Sequence, residues 1–127
     1  MRRETLVDNR GRRWYVEVPE TSQERARGLL GREGVPPEQA MLFERTRSIH
    51  TVGMRFPITV AFLDASMRVV ALRRIPPGRL AFRLLGVRHV MECAADAALR
   101  EGDHLVPVEP EEERNRAEGA GSQRGVG

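Results

Sequence analysis

Residues 48–64 read Ser-Ile-His-Thr-Val-Gly-Met-Arg-Phe-Pro-Ile-Thr-Val-Ala-Phe-Leu-Asp, and the fold turns on how this stretch is read. In the half from Ile58 to Leu63, side chains alternate between two faces. Ile58, Val60 and Phe62 fall on one face and Thr59, Ala61 and Leu63 on the other. Both faces are largely apolar, which predicts a strand covered on both sides. Pro57 suits the first position, where a missing ladder donor is tolerated. The half before it is a polar turn containing Ser48, His50, Thr51 and Gly53, followed by Met54-Arg55-Phe56. A turn held by glycine and proline against a buried strand keeps polar groups rigid at a surface.

Working outward, Asp64-Ala65-Ser66-Met67 predicts a turn into a second strand, Arg68 to Ile75. The two strands are expected to form an antiparallel hairpin at the heart of a sheet. Pro76-Pro77-Gly78 then breaks the chain. Leu80 to Leu85 is ambiguous, Val87 to Cys93 reads as a strand, and His104 to Val108 as the last one. Toward the N-terminus, Thr5–Val7 and Arg13–Val18 flank Asp8-Asn9-Arg10-Gly11, a hairpin signal. Thr21-Ser22-Gln23-Glu24 has the form of a capping box and predicts a helix from Ser22 to about Leu30, with Ala26, Leu29 and Leu30 as its apolar stripe. Ala40 to Phe43 reads as a short apolar strand, and Glu44 to Ser48 as a turn. The expected fold is mainly β, a compact β-sandwich or flattened barrel with one short N-terminal helix. Residues 1–110 are expected to form a single domain, and 111–127, which lack any apolar pattern, a disordered tail.

Composition narrows the function classes. Of 127 residues, 40% are hydrophobic and 31% charged, the balance of a globular chain. No apolar run approaches a membrane span, and no apolar core follows Met1-Arg2-Arg3, so the expectation is a cytoplasmic protein without a membrane partner. All 21 basic residues are arginine, nearly balanced by 18 acids, and only 5% of residues are aromatic. That balance argues against nucleic acid.

The chemistry-bearing residues are few. His50, His89 and His104 have no partner at ligand spacing, so neither a metal nor another cofactor is expected. Cys93 follows Glu92 in an apolar strand, an environment that raises a thiol pKa and suits a core position. Asp64, Glu92 and Asp103 lie in strands or at their ends, where two could pair for acid–base work or serve only in turns and ion pairs. Arg55, set between Met54 and Phe56, is expected to pair with Glu92, leaving His50 on the rim to meet a ligand. The candidate ligand-facing residues are therefore His50, Arg55, Asp64 and Glu92, with no catalytic residue assigned.

Three blocks carry a family resemblance: TSQERARGLLGR (21–32), MLFERTRSIHTVGMRFPITVAFLD (41–64) and VMECAADAALREGD (90–103). In order and spacing they resemble the DUF192 family, also called UPF0127, whose members have no established activity. The resemblance implies a compact β-rich sandwich with one helix. Two positions depart from the family pattern. Thr59 stands where an aspartate is frequent, and Met91-Glu92-Cys93-Ala94-Ala95-Asp96 keeps the glutamate of a typical block without its proline and glycine. The expected function is a small soluble binding or accessory domain, monomeric, with an unknown small ligand or protein partner. The alternatives are a small hydrolase-type enzyme using paired carboxylates and an interaction module pairing through a sheet edge.

Overall fold

The computed structural model describes residues 1–83 and 85–108; the tail expected at 111–127 lies outside them. In chain order the elements are β1 (Arg2–Val7), β2 (Arg13–Val18), α1 (Ser22–Arg27), β3 (Gln39–Phe43), β4 (Ser48–His50), β5 (Ile58–Leu63), β6 (Val69–Ile75), β7 (Leu80–Phe82), β8 (His89–Ala94) and β9 (Val106–Pro107). Seven strands form one curled half-barrel sheet in the order β6-β5-β8-β3-β2-β1-β9, and β4 and β7 form a separate two-stranded flap. The expected mainly β architecture with one short helix is what forms.

The β1–β2 hairpin pairs Arg2 with Val18 through Val7 with Arg13. Its turn is held from within. The buried Asp8 carboxylate accepts hydrogen bonds from the Arg10 and Arg12 amides (2.9 and 3.1 Å) and from the Trp14 indole (3.1 Å). Burial by itself would raise this carboxyl, yet those donors hold it below the ordinary carboxylate range. Strands β2 and β3 are parallel neighbours, so the chain between them must cross over. Helix α1 and the loop after it make that crossing and lay Leu29 on one face of the sheet.

The helix is shorter than its sequence predicts. Thr21 and Glu24 form the reciprocal cap, but the helix ends at Arg27 because Gly28 takes φ 48° and ψ −125°. A side chain at Gly28 would meet the Phe43 ring at 3.3 Å, so the chain bends there to approach β3. The predicted stripe is corrected accordingly: no residue within the helix is buried, Ala26 is exposed, and only Leu29, just past the end, is fully inserted.

The β5–β6 hairpin forms as expected, pairing Ile58 with Ile75. It lies at one end of the sheet rather than at its heart, because β8 inserts between β5 and β3. Even so, every residue of β5 is buried. Its two faces belong to two cores. Ala61 and Leu63 join Leu6, Trp14, Val16, Met91 and Leu105 inside the curl. Ile58, Val60 and Phe62 join Met41, Phe43 and Val90 on the outer face, under Leu29, Met54 and the flap residue Ala81.

The curl is closed by the segment before β9. The Leu105 amide donates to the Met67 carbonyl (2.9 Å) and the Val69 amide to the Asp103 carbonyl (2.8 Å), while Val106 and Pro107 pair with Val7 and Leu6. One short stretch thus ties the β6 edge to the β1 edge.

A candidate ligand cleft over Glu92

Alternation along β8 places Met91 and Cys93 inside the curl and Val90 and Glu92 on the outer face. Glu92 stands opposite Met41 of β3 and Val60 of β5, both fully buried. It is 4% exposed, yet its carboxyl has no hydrogen-bond or ion-pair partner among the described residues. Burial without compensation pushes that carboxyl up to about 7.

Glu92 lines a cleft of about 170 Å³ between the end of α1 and strand β4. Leu29, Leu30, Phe43, Ile49 and Met54 supply apolar walls, and Arg25, Arg27, Ser48 and His50 supply polar groups. Two glycines make the walls possible. Gly28 lets the helix end close on Phe43, and Gly53 (φ 85°) lets the loop close on Leu30, whose Cδ2 would lie 3.2 Å from an added Cβ. Arg25 is steadied by donating from Nη2 to the Thr46 hydroxyl, which itself donates to the Glu44 carbonyl at 3.1 Å.

The flap wall is held by Thr51, which is fully buried. Its hydroxyl donates to the Pro76 carbonyl (2.6 Å) and accepts from the Arg79 amide (2.9 Å). Its own amide donates to the Arg79 carbonyl, and its carbonyl accepts from Gly78. The turn read at Ser48 is in fact the start of β4, paired with β7 so that Ser48 faces Phe82 and His50 faces Leu80.

Of the four candidate residues, the structure brings His50 and Glu92 to this cleft and leaves the other two outside. The predicted Arg55–Glu92 pair does not form. Met54 takes the buried position of its bend, which turns the neighbouring Arg55 out to solvent with no partner among the described residues. Asp64 caps the β5–β6 turn, accepting from the Arg68 amide (3.0 Å) and from the Ser66 hydroxyl and amide (2.7 and 2.9 Å). Those donors hold its carboxyl below the ordinary range. Asp103 accepts from Arg10 (2.7 Å) and the Arg100 amide (2.8 Å) and belongs to the closure of the curl.

Among the described residues no three of His, Cys, Asp and Glu gather to hold a metal. The histidines are dispersed: His89 Nδ1 accepts from the Arg45 amide (2.9 Å), and His104 Nε2 donates to the Ser66 carbonyl (2.7 Å). A larger hollow of about 410 Å³ lies over Arg3, Thr5, Tyr15 and Glu17, but it contains no buried unpaired group, and Glu17 there is already paired with Arg32 at 3.0 Å. Arg25 and Arg27 escaped the sequence reading, and Ser48 was read only as part of the polar turn; the glycines that frame the cleft, Gly28 and Gly53, are the one signal in the chain that could have pointed to them. Thr59, in place of the frequent aspartate, sits one residue off the Glu92 register and donates to the Ala95 carbonyl at 3.0 Å, so it completes a turn rather than the cleft.

Two solved structures share this fold. One is a protein of unknown function from Novosphingobium aromaticivorans DSM 12444, 21% identical over 81% of this chain and 82% of that one, with a TM-score of 0.69. The other is described as a "putative transcription regulator" from Sinorhizobium meliloti 1021, 22% identical over 83% of this chain and 92% of that one, also with a TM-score of 0.69. No curated protein matches the chain. The model of DUF192, a family described as "uncharacterized ACR", matches residues 5–106, and the chain belongs to that family.

Proposed function

We propose that the protein is a small-molecule binding or accessory domain whose ligand enters the cleft over Glu92. One observation carries this reading: a buried carboxyl without a partner lines a cleft with apolar walls. A carboxyl on a buried residue that the protein leaves unpaired, with its oxygens still reaching the cleft, marks where a ligand atom can complete the bonding. Below about pH 7 the carboxyl is neutral and can both donate and accept. A ligand hydroxyl or amine fits it, with an apolar body against Leu29, Phe43 and Met54. His50 and Arg27 at the polar side suit an acidic or hydrogen-bonding tail.

The rival readings find less support. Hydrolysis by paired carboxylates asks for a second acid about 5–10 Å away, and Glu92 is the one carboxyl lining the cleft. Edge pairing is opposed by Arg73 and Arg74, exposed on the outer strand β6. A helix-based DNA reader is disfavoured because α1, the one helix among the described residues, has six residues. A cytoplasmic setting remains part of the proposal.

The test is a screen of small amines, alcohols and acids by amide chemical-shift perturbation. Hits that move the Gly28–Leu30 and Glu92 amides, and that Glu92→Leu abolishes while the fold is kept, support the reading. Hits that bind equally well to Glu92→Leu, or a screen that leaves the cleft unmoved, overturn it.

A further inference from the structure

Charge is unevenly spread along the chain. From Ala65 to Met91 there are six arginines (Arg68, Arg73, Arg74, Arg79, Arg83 and Arg88) and no acid. This stretch contains β7, one of the two strands of the flap. Ala81 points into the outer-face core, so Leu80 and Phe82 share the opposite face of β7. Leu80 is 70% and Phe82 57% exposed, Leu85 just beyond is 86%, and Val52, two residues past the partner of Leu80, is 59%. Four of the seven exposed large hydrophobic residues among those described thus lie on one flap. Arg79 and Arg83, which flank Leu80 and Phe82 in the chain, are exposed and make no side-chain bond with any described residue, whereas Arg88 lies farther on, in a hollow it shares with Glu44 and His89.

We propose that this flap docks the protein on an anionic lipid surface, with Leu80, Phe82 and Leu85 entering the headgroup boundary and Arg79 and Arg83 meeting the lipid phosphates. The complementarity is one of charge and kind together. Apolar side chains flanked by cations, on a stretch of chain with no acid from Ala65 to Met91, match a surface that is apolar below and anionic above. The absence of a spanning helix is no obstacle, since peripheral docking needs none. Nucleic acid fits less well, because Phe82 is the one aromatic of the flap and stacking platforms use several. The inference is independent of the Glu92 cleft.

The test uses the full chain in flotation with vesicles of phosphatidylcholine alone and of phosphatidylcholine mixed with phosphatidylglycerol. Binding is expected only with phosphatidylglycerol, and is expected to weaken sharply at high salt. Each of Arg79→Ala and Arg83→Ala should reduce partitioning about five-fold. Leu80→Ser with Phe82→Ser should reduce it more than about ten-fold. These residues are exposed, so an unchanged denaturation midpoint verifies the fold of each variant. Phe82→Trp adds a direct readout: its emission should shift to the blue on vesicles, over the constant signal of the buried Trp14. Failure to float with phosphatidylglycerol overturns the proposal, as does equal binding by the serine variant. Two further results, each without flotation, also overturn it by giving the flap another occupant. One is dimerisation abolished by the serine variant; the other is nucleic-acid retention abolished by Arg79→Glu with Arg83→Glu.

Discussion

Arg10 donates to Asp103 at 2.7 Å across 93 positions of sequence, and this contact joins the first hairpin turn to the segment that closes the curl. The same guanidinium donates to the Ala98 carbonyl (2.6 Å) and reaches Asp8 at 3.4 Å. Asp103 is almost fully buried and Arg10 only partly so, the setting in which a charge-assisted bond contributes more than a surface pair. Arg10→Ala and Asp103→Ala should each destabilise, and the double mutant should cost less than their sum by about 1–3 kcal/mol. Chemical denaturation of the four proteins measures this; strict additivity would remove the contact from the closure.

Glu92 makes stability depend on pH. Its folded carboxyl titrates near 7, against an ordinary value of 4.5. Below the ordinary value both states are protonated and no penalty exists. Between the two values only the unfolded state ionises, so stability falls as pH rises, and above 7 the loss is complete, on the order of 3 kcal/mol. Glu92→Gln should match the wild type at pH 4 and exceed it at pH 8, compared by urea denaturation at each pH. A ligand amine in the cleft should pull the Glu92 titration back down.

Arg55 and Glu92 should behave as strangers. Arg55 is exposed and outside the cleft, so its replacement by alanine should change stability by less than about 0.5 kcal/mol. Combined with Glu92→Gln it should be strictly additive. A coupling above about 0.5 kcal/mol would show that the two meet in solution.

Thr51 is the pin of the flap. Thr51→Val keeps the shape and removes the hydroxyl, leaving the Pro76 carbonyl and the Arg79 amide short of a partner. A loss of about 1–3 kcal/mol is expected, with faster hydrogen exchange at the Gly78 and Arg79 amides and little change in β1 and β2. Thr51→Ser should restore much of it.

Cys93 should resist modification. It is fully buried, and its thiol is pushed up to about 12 by burial, with the Glu92 charge adding to the effect. Labelling by a thiol reagent in native buffer should wait on unfolding, and Cys93→Ala should cost about 1–2 kcal/mol through the cavity left inside the curl. Labelling at the rate of an unfolded control would contradict the packing.

Local signals in the chain determined a good deal. Alternation set the two faces of the strand Ile58–Leu63, which depend only on the two-residue period of a strand, and the apolar run around Cys93 located it in the core. Capping chemistry at Thr21 located the helix start, and Asp64 was legible as a turn residue because its donors lie within four positions of it. What tertiary structure alone decided is which strands are neighbours and what covers each face. The parallel β2–β3 pairing, the insertion of β8 beside β5 and the closure through Asp103 all join residues far apart in sequence, where no local period carries information. Glu92 shows the consequence. Its face of β8 could be read from alternation, but its solvation could not. That depended on α1, Gly28, Gly53 and the flap arriving from distant parts of the chain to enclose it. Arg55 failed as its partner because burial of Met54 decided which way the bend would turn.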